Sequence, residues 1–326
     1  YILSAKQSLI EKTANTLYPH IERGDSLTSG MPFSFTDMYG KITVKGDGGS
    51  KFSMFGFHNK DKVSYDIANI DWTQSGGGIN FLLVPSSSPV FIKGHVNGSN
   101  FKTNFLEKIS DSDTSQRFSS IGGFDLGFDF TYFLKNSSEL NYGFNLNGFQ
   151  TEFVTYNDVG RKIEASNWST EIGSYINYRL VTTRWVVQPS LRIQAYASLN
   201  TVSPEPRLGL KYNVNEKFRI KASGGRYSQN FTSASSDKDV VNIFNGLLSA
   251  PTNVQSTFVT VYGNEKQPKN GLQYAWHAIA GAEYDLGEKL MLNIEGYYKY
   301  FSQLSNINQN KLYDDGDIEF AAIDDI

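Results

Sequence analysis

The feature that most constrains this chain is a period of two that returns in segment after segment. In Phe124, Leu126, Phe128, Phe130, Tyr132 and Leu134 every second residue is large and apolar, with Asp125, Gly127, Asp129 and Thr131 between them. Leu140, Tyr142, Phe144 and Leu146 repeat the pattern against Asn141, Gly143, Asn145 and Asn147. Leu208, Leu210, Tyr212 and Val214 oppose Arg207, Gly209, Lys211 and Asn213, and Leu290, Leu292, Ile294, Tyr298 and Tyr300 oppose Asn293, Glu295 and Lys299. Successive strand side chains point to opposite faces, so each segment reads as a strand with one apolar and one polar side. A soluble sandwich alternates too, and the connections separate the two cases. Short polar turns are expected at 46–50, 85–89, 135–138, 181–184, 213–217 and 285–289. Between them lie longer connections at 59–66, 108–116, 155–167, 198–204 and 228–272. Short and long alternate strictly, as in an up-and-down membrane barrel with tight turns at one end and long loops at the other.

The expected fold is therefore all-β, an antiparallel up-and-down transmembrane β-barrel wall of about fourteen strands. Several strands exceed the roughly 9–11 residues needed to cross a bilayer and would project beyond it on the outer side. No apolar run reaches the roughly 18 residues of a transmembrane helix, which leaves a barrel open because its lipid face hides in alternate residues. Aromatics at 14%, with 23 Phe and 19 Tyr, suit strands and membrane interfaces. Two outer connections carry helix patterns. Residues 9–21 place Leu9, Ile10, Leu17 and Ile21 on one side, and 237–248 follow the N-cap Ser236 with Val240, Val241, Phe244, Leu247 and Leu248. The whole of 1–326 reads as part of one barrel domain, and both ends read as cut within strands.

The quoted strands lead to a family. Tyr1-Ile2-Leu3-Ser4-Ala5-Lys6-Gln7-Ser8, then Met31-Pro32-Phe33-Ser34-Phe35-Thr36-Asp37-Met38-Tyr39-Gly40-Lys41, resemble the early barrel strands of TonB-dependent outer-membrane receptors. Pro204-Glu205-Pro206-Arg207-Leu208-Gly209-Leu210-Lys211-Tyr212 with Lys221-Ala222-Ser223-Gly224-Gly225-Arg226-Tyr227 resembles a mid-barrel hairpin of that family. Ala275-Trp276-His277, Gly281-Ala282-Glu283-Tyr284 and Ile294-Glu295-Gly296-Tyr297-Tyr298-Lys299 are similar to later strands. The resemblance implies a wall of roughly twenty-two strands, of which this chain supplies about fourteen, around a plug domain that this sequence omits. It also implies a TonB-type energy-transducing partner and active import of a scarce ligand, such as a siderophore, cobalamin or a glycan. Residue by residue, Pro204 and Pro206 mark a place where the ladder needs no amide. Arg207, Lys211, Arg219 and Lys221 fall on one face, which reads as a polar lumen.

Chemistry is sparse. The absence of cysteine removes disulfides, thiol nucleophiles and Cys-based metal sites. The net charge of −3, without a Lys/Arg stripe, argues against nucleic acid. His20, His58, His95 and His277 lack metal-binding spacing, and no metal or cofactor is expected. Gly46-Asp47-Gly48-Gly49-Ser50-Lys51 joins two strands and lacks phosphate-loop spacing, so it reads as a hairpin turn. Gly76-Gly77-Gly78 reads as a bulge or a plug-facing bend. Asp314-Asp315-Gly316-Asp317 and Ser110-Asp111-Ser112-Asp113 lack a calcium-loop pattern and read as solvated loops. No nucleophile elbow or isolated carboxylate pair points to an enzyme.

Outer loops are expected to hold the ligand, and Trp72, Tyr156, Trp168 and Phe231 are the aromatic contacts singled out near loop bases. An interface belt uses the same residue types. Outer-membrane lipid is the expected surroundings. Two other readings stay open: a structural or interaction subunit, with a surface lipoprotein as partner on the 228–272 loop, and a smaller passive channel.

Overall fold

The computed structural model describes residues 1–9, 13, 33–65, 68–110, 113–156, 162–234, 246–249, 258–259, 265–268, 270–287, 290–307 and 320–323. Their strands are β1 (Ile2–Gln7), β2 (Phe33–Lys45), β3 (Lys51–Ser64), β4 (Ala68–Leu83), β5 (Val90–Ser110) and β6 (Asp113–Phe133). There follow β7 (Glu139–Tyr156), β8 (Lys162–Val181), β9 (Trp185–Tyr196), β10 (Thr201–Asn213) and β11 (Phe218–Gln229). Four short strands come next, β12 (Phe231–Ala234), β13 (Gly246–Ser249), β14 (Phe258–Val259) and β15 (Glu265–Lys266), and then β16 (Gln273–Asp285), β17 (Met291–Ile307) and β18 (Phe320–Ile323). Fourteen of these form one antiparallel sheet in the order β1 to β11, then β16, β17 and β18, while β12–β13 and β14–β15 pair separately. Each wall strand thus lies beside its successor in the chain, the meander expected from the alternation.

The ladder registers assign the two faces. Ile42, Met54, Ile79, Val96, Leu126, Leu146 and Ile172 stand in register across seven adjacent strands. One residue away, Phe55, Gly78, Asn97, Asp125, Asn147 and Glu171 form the corresponding row on the opposite face. The first row belongs to an apolar outer surface, continued by Phe52, Phe81, Phe128 and Phe144. The second row belongs to a polar lumen. Towards the tight turns the outer surface carries Tyr132, Tyr178, Trp185, Tyr212 and Tyr284, an aromatic girdle of the kind found at a membrane interface. Away from the turns it becomes polar, through rows such as His58, Ser75 and Asn100, then Lys60, Thr73 and Lys102.

The connections depart from the expected rhythm at the end away from the turns. Those expected at 59–66, 108–116, 155–167 and 198–204 shrink to 65–67, 111–112, 157–161 and 197–200, because the ladders continue through the polar residues. β5 and β6 have 21 residues each, about 70 Å of extended chain, far more than a bilayer needs. A strand that is polar on both faces stays paired where water surrounds it, so hydrophilic sequence there does not mean loop. The 197–200 connection is a single 3₁₀ turn, Ala197–Leu199, closed by Asn200 in the left-handed region at φ 46°. Gly76-Gly77-Gly78 makes no bulge, since both flanking ladders of β4 run through it in unbroken register. Its glycines serve close approach: a Cβ on Gly76 would meet the Gly98 carbonyl oxygen and the Phe57 ring, both at 2.8 Å.

The expected helix 237–248 is corrected at its end. Gly246–Ser249 is strand β13, paired with β12 through Leu248↔Thr232 and Leu247↔Ser233. Wall hydroxyls explain the change: Leu247 N donates to Ser119 Oγ at 3.0 Å and Ser249 N donates to Thr151 Oγ1 at 3.3 Å. These partners lie far away in sequence and override local helix periodicity. Residues 237–245 of that pattern fall outside the described residues. So does most of 9–21, where Thr13 N donates to Leu9 O at 2.9 Å.

Candidate functional site

The candidate site is a recess on the lumen side of β8 to β11, made by the inward half of the same alternation. Glu171 comes from β8, Arg192, Gln194 and Tyr196 from β9, Glu205 and Arg207 from β10, and Tyr227 and Ser228 from β11. Its opening lies where the β10–β11 ladder ends, at Arg207↔Gly225. Beyond that pair, side chains take over from the backbone. Pro204 and Pro206 have no amide to donate, and Pro204 O accepts from Arg226 Nη1 at 3.3 Å. The Glu205 carboxylate, in a residue only 3% exposed, accepts from Ser228 N at 2.9 Å, Ser228 Oγ at 2.6 Å and Arg207 Nη2 at 2.6 Å. Three donors satisfy a buried charge that would otherwise be costly.

The polar groups around it form two hydrogen-bonded sets. Tyr196 Oη and Ser228 Oγ are 2.9 Å apart. Arg192 donates to Gln194 Oε1 and to Asn145 Oδ1, both at 2.9 Å, and Gln194 Nε2 donates to Glu171 Oε2 at 3.2 Å. The Arg207 guanidinium lies 4.5 Å from the centre of the Tyr227 ring, which packs in turn against His277 at 4.6 Å. Arg207 Nε is buried without a hydrogen-bond partner. The opposite wall is apolar, with Ile121, Phe149 and Phe231, and the two Phe rings meet edge to face at 6.2 Å. The recess holds about 420 Å³. A second recess of about 420 Å³ shares Arg192, Arg207 and Tyr227 and continues towards the turns past Tyr175, Asn177 and Ser190. Volumes of this size, with rings on one side and fixed polar groups on the other, suit a small polar ligand.

A roof covers part of this lumen. The β12–β13 pair folds inward against β6, β7 and β8, held by the Ser119 and Thr151 bonds and by Asn230 Nδ2 donating to Ser169 Oγ. Ser119 and Thr151 are 0% exposed and Ser169 is 2% exposed, so these hydroxyls are sealed beneath the segment. Nearer the turns a separate ion cluster lines the lumen. Glu283 accepts from Lys221 at 3.0 Å and from Lys211 at 3.3 Å, Lys221 also reaches Glu295, and Arg219 pairs with Asp285. Lys211, Lys221 and Arg219 therefore share the lumen face.

The four aromatics singled out in the sequence are not brought together. Phe231 lines the recess. Trp72 lies on β4 in register with Asp61 and Thr103, away from the recess. Tyr156 ends β7 at 41% exposure, and Trp168 stands 73% exposed on the outer face of β8. Glu171, Arg192, Gln194, Glu205 and Tyr227 were not singled out. The only local signal was a carboxylate between two prolines, Pro204-Glu205-Pro206, in a strand otherwise apolar on its other face. The described histidines fall apart: His58 bonds Ser75 at 2.7 Å, His95 pairs with Asp125, and His277 packs on Tyr227. Among the described residues no three metal-ligating side chains cluster.

No family model matches the chain, and no curated protein matches its sequence. Solved structures do match its backbone. The ferric enterobactin receptor PfeA of Pseudomonas aeruginosa superposes with a TM-score of 0.58 at 8% identity, over 95% of this chain and 50% of that one. FpvA of P. aeruginosa, solved with a heterologous pyoverdine, gives 0.61 at 11% identity over 89% of this chain and 45% of that one. The copper transporter OprC gives 0.59 at 10% identity over 90% and 50%. The wall has the fold of an outer-membrane β-barrel. At such identities the likeness is one of fold, and this chain spans about half the length of those structures.

Proposed function

We propose that the barrel wall belongs to an outer-membrane receptor that imports a scarce ligand with energy from a TonB-type transducer. One observation supports this above the others: an unbroken apolar row on the outer face backs onto a row of Asn, Asp and Glu within the same ladders. Lipid on one side and a hydrated, hydrogen-bonding passage on the other are what such a pattern serves. In this reading the tight turns face the periplasm and the 228–272 connection faces outside. The ligand, of the siderophore, cobalamin or glycan kind, is captured by outer loops, with Trp72, Tyr156 and Trp168 among the loop-base aromatics. It passes on to the Arg192–Arg207 recess beside Phe231. A plug domain fills the remaining lumen and couples to the transducer, and 1–326 forms part of one barrel domain.

The test is uptake by cells carrying the full-length gene, with and without the energy-transducing protein. Import should disappear on deleting the barrel or the transducer. Uptake that continues undiminished without the transducer would mean a passive channel instead.

A further inference from the structure

The outer face also carries a charge pattern that import does not require. Beyond the apolar surface, β3 and β5 carry lysines on either side of β4. Lys60 is in register with Thr73, and Thr73 with Lys102. One step nearer the apolar surface His58 faces Ser75, and one step beyond, Lys62 faces Asp71. Lys60, Lys62, Lys102 and His58 are all exposed. None of the three lysines enters an ion pair among the described residues. Asp71, across from Lys62, accepts from Asn104 Nδ2 at 2.8 Å, and Glu152, two strands from Lys102 on the far side, accepts from Ser120 Oγ at 3.4 Å. The charge is local, because the equivalent outer rows on β7 and β8 carry Glu152 and Glu164.

Height matters as much as sign. On β5 the apolar and glycine positions of the outer face run Val90, Ile92, Gly94, Val96 and Gly98, and Lys102 stands four residues beyond Gly98. Four residues are about 13 Å along the strand, or about 9 Å above the apolar surface at a 45° tilt, which is headgroup level. Lys60 and Lys102 are two strands apart, about 10 Å, and their stems can extend along the wall. Below the intervening row of His58, Ser75 and Asn100, Gly40, Gly56, Gly77 and Gly98 stand in consecutive register, so the wall beneath the lysines carries no bulky side chain at the upper edge of the apolar surface.

We propose that Lys60 and Lys102, flanked by Lys62 and His58, form a docking surface for the phosphate-bearing headgroup of an outer-leaflet lipid. It rests on the reading above that the apolar surface lies in the bilayer with this end outward. Each lysine beside a charged membrane surface contributes about 1 kcal/mol, or about fivefold in affinity. Removing all three should weaken lipid binding roughly a hundredfold.

The experiment uses the full-length protein in phosphatidylcholine nanodiscs, titrated with diphosphoryl lipid A and with its dephosphorylated form, and read by retained lipid in native mass spectrometry. Wild type should retain the phosphorylated lipid and discriminate against the other. K60Q/K62Q/K102Q should lose that preference, and K41Q/K93Q on the lumen face should keep it. Equal retention by wild type and the triple variant overturns the proposal, as does displacement of the lipid by an equal concentration of inorganic phosphate. Heat-modifiable gel mobility tells the two failures apart. A protein that never inserts sinks the membrane reading and the docking surface together, while one that inserts without lipid preference sinks only the docking surface.

Discussion

Ile176 offers the sharpest test of which face meets lipid. It lies near the middle of the apolar height of β8, in register with Tyr142, and is 51% exposed. Its neighbour Asn177 points to the lumen beside the recess of Tyr175 and Ser190. In water, replacing a half-exposed isoleucine by arginine would change stability by no more than about 0.5 kcal/mol. In hydrocarbon the same change costs about 2–4 kcal/mol at mid-membrane depth. The same arginine placed at Asn177 enters the polar recess lined by Tyr175, Gln188 and Ser190 and should cost under about 1 kcal/mol. The predicted difference between Ile176→Arg and Asn177→Arg is therefore at least about 1–3 kcal/mol, with the outward variant the weaker. Urea unfolding of the full-length barrel refolded into phosphatidylcholine vesicles, followed by tryptophan fluorescence, measures it. Equal midpoints for the two variants, or a larger loss for Asn177→Arg, would refute the assignment of faces.

Three further outcomes follow from particular contacts. Thr151 Oγ1 and Ser249 Oγ are 3.4 Å apart in a chain without cysteine, so T151C/S249C should form a single disulfide on mild oxidation. A non-reducing gel with mass spectrometry checks this, and a lasting pair of free thiols would mean the β12–β13 pair does not rest on the wall. A Cβ on Gly123 would meet Phe149 Cα at 2.8 Å, so Gly123→Val should cost about 1–3 kcal/mol in the same urea assay, and no change would count against that packing. Glu205→Gln removes the charge that holds Arg207 and Ser228 together, and should cost about 1–3 kcal/mol and raise protease sensitivity in β11.

How much of this was legible follows from how far each interaction reaches along the chain. The wall was readable because alternation is a property of neighbouring residues, and each hairpin brings together residues a few positions either side of a turn. Connection lengths are harder to read because hydrophilic sequence is not necessarily loop: Lys60, Thr73 and Lys102 continue a ladder beyond the apolar surface, where polar side chains suit both faces. The end of the helix pattern at Leu247 and Leu248 failed for a different reason. Its backbone partners, Ser119 and Thr151, stand 128 and 98 residues away, and no local period encodes them. The recess combines both kinds. Its strands announce an inward polar face, but nothing local says that Arg192, Glu205 and Tyr227 converge there while Trp168 points outward. That depends on the point where the β10–β11 ladder stops, at Arg207↔Gly225. The two prolines beside Glu205 mark a break in donor supply that is legible in the sequence. The consequence that sequence could not give is that the missing amides free a buried carboxylate to bind the neighbouring strand's Ser228, and this opens the wall from within.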